Sequence, residues 1–143
     1  RNKLFIMLIG YTTGVYDLFH IGHLNMLRDA KSLCDKLIVG VSTDEVVKYK
    51  HKKSVIPFNE RIRIVRSIKY VDAAIPQNDR NKILAWKKIK FDILFVGDDW
   101  YGEKKWKEFE KTLKKKNIKI VYFPYTKGTS STILNNTLKK LRK

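Results

Sequence analysis

Two histidines three positions apart, in Gly14-Val15-Tyr16-Asp17-Leu18-Phe19-His20-Ile21-Gly22-His23, are the residues of this 143-residue chain best suited to chemistry. Residues at that spacing lie about one helical turn apart, so both imidazoles can face the same space. Gly22 between them has no side chain and lets a ligand approach the backbone closely. A helix opening here offers unpaired amides and a positive dipole end, which favour phosphate oxygens. The imidazoles add hydrogen-bond donors for a phosphate and for charge developing on a leaving group. A bare His-x-x-His can equally be two surface residues. Its place behind Gly14, after an apolar run of strand length, points to phosphate handling. Zinc does not fit, because there is one cysteine and no His-Glu-x-x-His pattern, so no protein metal site is expected.

Three other groups of residues could serve a phosphate site. Lys48, Lys50, His51, Lys52 and Lys53 form a cationic loop able to close over phosphates. Arg61 and Arg63 open an apolar-periodic helix and cannot both face its core, and Arg61 can offer a planar fork to a phosphate. Asp98 and Asp99 are adjacent acids in a basic chain, able to hold a cation, a substrate hydroxyl or a base amino group, or simply to make an Asx turn. Thr129, Ser130, Ser131 and Thr132 follow Gly128 and precede the last helix. Four hydroxyls exceed what an N-cap needs.

The elements that position these residues are legible as alternating strand and helix patterns. Leu4–Ile9 reads as a buried first strand and Leu37–Val41 as a second, with shorter candidates at Val71–Ile75, Ile93–Val96 and Ile118–Tyr122. Leu24, Leu27, Ala30 and Leu33 share one helix face, and Ile62, Val65 and Ile68 share another. A short helix starts at Thr43-Asp44-Glu45, and others are expected at Lys82–Ile89, Trp106–Lys115 and Ser130–Leu141. This alternation predicts an α/β fold, a Rossmann-like doubly wound five-stranded parallel sheet in a single domain over residues 1–143. Ligands of such sheets sit beyond the carboxyl ends of the strands, where strand order reverses. The segments Gly10–His23, Ser42–Pro57, Gly97–Glu103 and Pro124–Thr132 are therefore the ones expected to carry the site.

His-x-Gly-His after a first strand resembles the hallmark of the HIGH-type nucleotidyltransferase superfamily. With Tyr70-Val71-Asp72, Gly97-Asp98-Asp99-Trp100-x-Gly102 and Thr126-Lys127-Gly128-Thr129-Ser130-Ser131-Thr132, the chain resembles the glycerol-3-phosphate cytidylyltransferases over nearly its whole length. That resemblance implies transfer of a cytidylyl group from CTP to a small phosphorylated alcohol, giving CDP-glycerol and pyrophosphate, with Mg2+ accompanying the nucleotide. It implies that His20, His23, Lys50, Lys53 and Arg61 act on the triphosphate. Nucleotide contacts would come from Gly14, Val15, Tyr16, Asp17, Gly22, Gly97, Asp98, Thr126, Gly128, Ser130, Ser131 and Thr132. Asp72, Asp99, Trp100 and Lys69 would serve the acceptor. Asp17 would fix the turn or a magnesium-bound arrangement. It further implies a homodimer and a product used for teichoic acid or a glycerol-phosphate capsule. The chain departs from the family pattern at Lys69 and Tyr125, where the family has arginine, and at Lys127, where it has glutamate.

Composition narrows the class. The chain is 43% hydrophobic and 12% aromatic, which excludes a disordered segment. Its formal charge of +17 favours an anionic partner without naming it, and Lys114-Lys115-Lys116 and Lys139-Lys140 read as solvated helix faces. Cys34 stands alone, so no intrachain disulfide forms, and its apolar setting reads as core filler. No apolar run is long enough for a bilayer span, and a cytoplasmic protein with no membrane insertion is expected. The rival readings are a cytidylyltransferase for another polyol or aminoalcohol phosphate, an adenylyltransferase of the same superfamily, and a basic nucleic-acid-binding domain. The last is disfavoured because Trp86, Trp100 and Trp106 fall in core patterns rather than on one platform, so no nucleic-acid partner is expected.

Overall fold

The first strand is β1, Ile9–Gly14, and not the more hydrophobic run before it. This is a computed structural model, and it describes residues 6–49, 53–97, 104–124 and 131–141. Ile6, Met7 and Leu8 lie outside any strand and are exposed, while Leu4 and Phe5 fall outside the described residues. The reason is packing rather than hydrophobicity. At Gly10 an added Cβ would stand 2.5 Å from the Phe95 ring and 2.7 Å from Cys34 Sγ, so the centre of the sheet accepts only a bare backbone there. Asp35 and Asp92 receive the amides of Leu8 and Ile9 and fix where the strand begins.

The chain continues through α1 (Ile21–Ser32), β2 (Lys36–Ser42), α2 (Asp44–Tyr49), α3 (Phe58–Arg66), β3 (Ala73–Gln77), α4 (Lys82–Ile89), β4 (Ile93–Gly97), α5 (Lys104–Lys115), β5 (Lys119–Phe123) and α6 (Ser131–Leu141). The strands form one parallel sheet in the order β3-β2-β1-β4-β5. The third strand therefore runs two residues later than Val71–Ile75 and includes Pro76. Proline is tolerated there because β3 is an edge strand. Strand order reverses between β1 and β4, which puts the predicted ligand crevice beside Gly14 and Gly97.

Each face of the sheet has its own core. On one, Leu27 and Ala30 of α1 and Ile62 and Val65 of α3 pack on Leu37, Val39, Val41 and Phe95. On the other, Ile83, Trp86 and Ile89 of α4 and Trp106 and Leu113 of α5 pack on Tyr11, Leu94 and Val96. Leu33 departs from the expected face of α1. It is the C-cap and is 49% exposed, because the helix ends before it can turn inward. Cys34 is half-buried against Gly10, and burial pushes its thiol pKa up, which suits filler rather than a nucleophile.

Candidate active site

The turn from β1 into α1 is built by the two histidines themselves. His20 is the N-cap of α1, with Nδ1 accepting from Gly22 N at 3.0 Å, and His23 Nδ1 accepts from His20 N at 3.2 Å. This is a reciprocal capping box made from imidazoles in place of the usual hydroxyl and carboxylate. An Nδ1 that accepts leaves the proton of the neutral ring on Nε2, so each histidine retains one N–H donor for a ligand. The rings lie 4.0 Å apart between centroids. Tyr16 and Phe19 pack against His23 at 5.3 and 5.2 Å. Burial, reinforced by the neighbouring His20, takes the His23 pKa down to about 4, and burial lowers that of His20. Both are neutral donors at pH 7.

The loop between strand and helix is strained and held from outside. Tyr16 and Leu18 adopt φ of 55° and 50°, a left-handed conformation costly for residues with a Cβ. Gly14 is required beside them, since a Cβ there would stand 2.9 Å from the Tyr16 ring. Between the two strained residues, Asp17 accepts from Val55 N at 2.8 Å and Ile56 N at 2.9 Å. Of the two roles expected for Asp17, the geometry supports fixing the turn.

Arg61 completes the brace and corrects an expectation. Its guanidinium is fully buried and donates to Ile56 O, Val15 O, Ser42 O and Asp44 Oδ1 at 2.7–2.8 Å. Four of its five N–H donors are thus consumed by the protein, and the fork expected for a phosphate is spent on three carbonyls and a carboxylate. Burial alone would raise the Asp44 pKa. Hydrogen bonds from Arg61, Phe58 N and Ser54 outweigh it and hold the pKa below the usual range. Arg63, on the other side of α3, is exposed.

Two residues assigned to the acceptor lie at the wrong edge of the sheet. Asp72 precedes β3 and accepts from Leu37 N at 2.7 Å and Lys31 Nζ at 2.6 Å, at the amino ends of the strands. Lys69 is exposed in the same region, its Nζ 5.2 Å from the Tyr70 ring centroid. A parallel sheet places the start and end of a strand on opposite edges, so neither can reach the His turn. Gly97 ends β4 beside β1 at the carboxyl edge, and Val15, Tyr16 and Gly22 belong to the His turn and its helix. Lys53 is exposed just before the segment that Asp17 holds. Ser131 and Thr132 open α6. Lys50, Asp98, Asp99, Trp100, Thr126, Gly128 and Ser130 lie outside the described residues.

One buried cation at this edge has no counterpart in the motif reading. Lys82, the first residue of α4, is 5% exposed, and its Nζ donates to Thr13 Oγ1 at 2.7 Å. Hydropathy alone ends the third strand at Ile75, two residues early, and so leaves Asn78–Lys82 unread as a strand-end loop. Among the described residues no group of three or more His, Cys, Asp or Glu side chains converges as a metal site. No described helix is long and apolar enough to cross a membrane. Trp106 lies in the core and Trp86 between Lys90 and Lys116, so these two tryptophans form no common stacking platform.

Comparison with known proteins agrees with this geometry. The model of the cytidylyltransferase-like family matches residues 11–139. The glycerol-3-phosphate cytidylyltransferase of Staphylococcus aureus is 38% identical over 128 residues, 89% of this chain and 92% of that one. The FAD synthase of Archaeoglobus fulgidus is 38% identical over 106 residues, 74% of this chain and 75% of that one. Among solved structures, the lipopolysaccharide core biosynthesis protein of Thermoplasma volcanium superposes with a TM-score of 0.71 at 27% identity, covering 86% of this chain and 99% of that one.

Proposed function

The chain belongs to the cytidylyltransferase-like family, and on that premise we propose that it transfers the cytidylyl group of CTP to glycerol 3-phosphate. The observation that carries this is the His20–His23 capping box, which holds two neutral Nε2–H donors at the helix start beside the sheet's switch point. An oxygen of the acceptor phosphate attacks the α-phosphorus of CTP, and the bond to the β-phosphate oxygen breaks. The products are CDP-glycerol and pyrophosphate. No covalent intermediate on the enzyme is needed, so catalysis consists of in-line positioning and stabilisation of charge. His20 and His23 donate to the phosphates as charge grows on the departing pyrophosphate. Lys50 and Lys53 add positive charge from the basic loop. Arg61 acts through Val15 O and Ile56 O, keeping the His turn and that loop in register.

Mg2+ is part of this reading as a companion of the nucleotide. Asp17 is engaged with two backbone amides and no acidic cage converges among the described residues, so the donors would be phosphate oxygens and water. The ion would neutralise charge on the triphosphate. We read the protein further as a cytoplasmic homodimer. Ile21 and Val55, exposed beside the His turn, supply apolar surface for a partner copy, and a monomeric mass by light scattering would remove that assignment. The product would feed a glycerol-phosphate polymer such as teichoic acid or a capsule.

A second reading, adenylyl transfer from ATP, is favoured by the FAD synthase relative. Pyrophosphate release with CTP or ATP against a panel of phosphorylated alcohols and FMN separates the two. The proposal expects turnover with CTP and glycerol 3-phosphate, and turnover with ATP alone would sink it.

A further inference from the structure

Four exposed apolar residues at the amino edge of the sheet go unused by the fold and by the transfer. Ile6 is 75% and Met7 60% exposed, just ahead of the central strand, and Leu8 and Leu33 are exposed beside them. The backbone brings the Leu33 turn to this strip, because Asp35 N and Lys36 N both donate to Leu8 O. Apolar residues grouped and exposed in this way mark an interaction surface.

Lysines flank the strip on both sides. Lys36 opens β2 on one side; on the other, Lys90 precedes β4 and Lys119 opens β5, with Lys116 just before it. All four are exposed, and none makes an ion pair among the described residues. Lys90 and Lys116 converge on one indole, their Nζ atoms 4.0 and 4.6 Å from the Trp86 ring centroid. Lys90 does so from a φ of 58°, a position that glycine would hold at lower cost. The acids of this edge are already engaged: Asp35 and Asp92 accept the amides of Leu8 and Ile9, and Asp72 is paired with Lys31. Helix dipoles account for lysines in the last turns of α4 and α5. They do not account for Lys36 and Lys119, which open strands, or for the exposed apolar strip.

We propose that this edge docks on an anionic lipid surface, with Ile6, Met7 and Leu8 entering the headgroup layer and the flanking lysines meeting its phosphates. The contact lies at the surface of the bilayer and does not cross it. Apolar insertion and basic attraction are two signals that together give stable peripheral attachment. A nucleic acid would use the lysines but offers nothing to the apolar strip, and Trp86, with two ammonium groups over its ring, is no stacking platform. A second copy would set lysine against lysine across a two-fold axis. The six residues of β1 carry the chain roughly 20 Å from this edge to the His turn. The docked molecule therefore turns its site toward the water that holds CTP and the acceptor. The docking face stands whichever nucleotide the site transfers.

The test sediments the whole chain with vesicles of phosphatidylcholine alone, and with phosphatidylglycerol replacing about a third of that lipid. Wild type is expected to go down with the mixed vesicles only, and less so as salt is raised. Lys36→Gln combined with Lys90→Gln should lower the partition coefficient about 10- to 30-fold. Lys107→Gln combined with Lys111→Gln removes the same charge from exposed positions further back along α5, and should lower it less than about threefold. Ile6→Ser combined with Met7→Ser should lower it about tenfold, while leaving retention on heparin, a polyanion with no acyl layer, as it was. All the substituted side chains are exposed, and thermal unfolding checks that each variant folds. No sedimentation with the mixed vesicles, or equal sedimentation with both kinds, overturns the proposal. So does an equal loss from the two lysine pairs, which would make net charge the cause. Vesicle binding indifferent to Ile6→Ser and Met7→Ser would make this edge a general polyanion surface, and overturns the lipid assignment.

Discussion

Replacing Arg61 by lysine separates a phosphate ligand from an internal brace. The guanidinium is fully buried and donates to Val15 O, Ser42 O and Ile56 O as well as to Asp44. Lysine keeps the charge, but its donors radiate from one nitrogen and cannot reach carbonyls on opposite sides of the fork. At least two buried carbonyls lose their partner, at about 1–3 kcal/mol each. The ion pair adds less than a buried one would, because the Asp44 side chain is 50% exposed. A loss of about 3–5 kcal/mol follows, within the range for breaking a buried charged network. In a single domain of this length that lowers Tm by roughly 10–17 °C. Thermal unfolding and the urea midpoint read the stability, and calorimetry below the transition reads the CTP Kd. The brace predicts a large fall in Tm with a smaller weakening of CTP binding, as the His turn loosens. A Tm within about 1 °C of wild type, together with a CTP Kd raised tenfold or more, would refute the reasoning and return Arg61 to the phosphates.

Three further outcomes follow from the same geometry. His20→Asn keeps an N-cap acceptor for Gly22 N but removes the Nε2–H donor, so stability changes by less than about 1 kcal/mol. Its kcat is expected to fall about 100- to 1,000-fold; unchanged kcat would show that the ring only caps. The His23 pKa is lowered from about 6.5 when unfolded to about 4 in the native state, by burial first and His20 second. The stability this contributes is complete above about pH 6.5 and is lost as pH falls through about 4. Wild type should therefore lose urea resistance over that window more steeply than His23→Gln, and equal slopes would contradict the assignment. Gly10→Ala places a methyl against the fully packed Phe95 ring and should cost about 1–3 kcal/mol in chemical denaturation. Adding Cys34→Ala recovers only part of it, since the ring remains.

The parallel sheet and most helices are legible in the sequence because continuous apolar runs and helical spacing report burial directly. The helical pattern over Lys82–Ile89 coincides with α4, and those for α5 and α6 fall within two residues of the observed bounds. Hydrophobicity misplaces β1, because the strand at the centre of the sheet is Ile-Gly-Tyr-Thr-Thr-Gly, chosen for close fit to Phe95 and Cys34. The His turn is legible from residue types and spacing, but its reciprocal capping is not, since histidine is an unusual cap. Charge without contacts cannot distinguish Arg61 as a brace from Arg61 as a phosphate ligand. Asp72 and Lys69 are assigned by motif, and motif does not report which edge of the sheet a residue occupies. Lys82 escapes because ending the third strand at Ile75 removes its following loop from the strand-end segments.

The central claim is the transfer itself, and phosphorus NMR of a single reaction mixture tests it most directly. With the protein, CTP, glycerol 3-phosphate and Mg2+, the triphosphate resonances are expected to give way to equal amounts of CDP-glycerol and pyrophosphate. Unchanged CTP resonances, with ATP consumed and pyrophosphate formed when FMN is supplied, would contradict the account and make this chain an adenylyl-transferring member of its family.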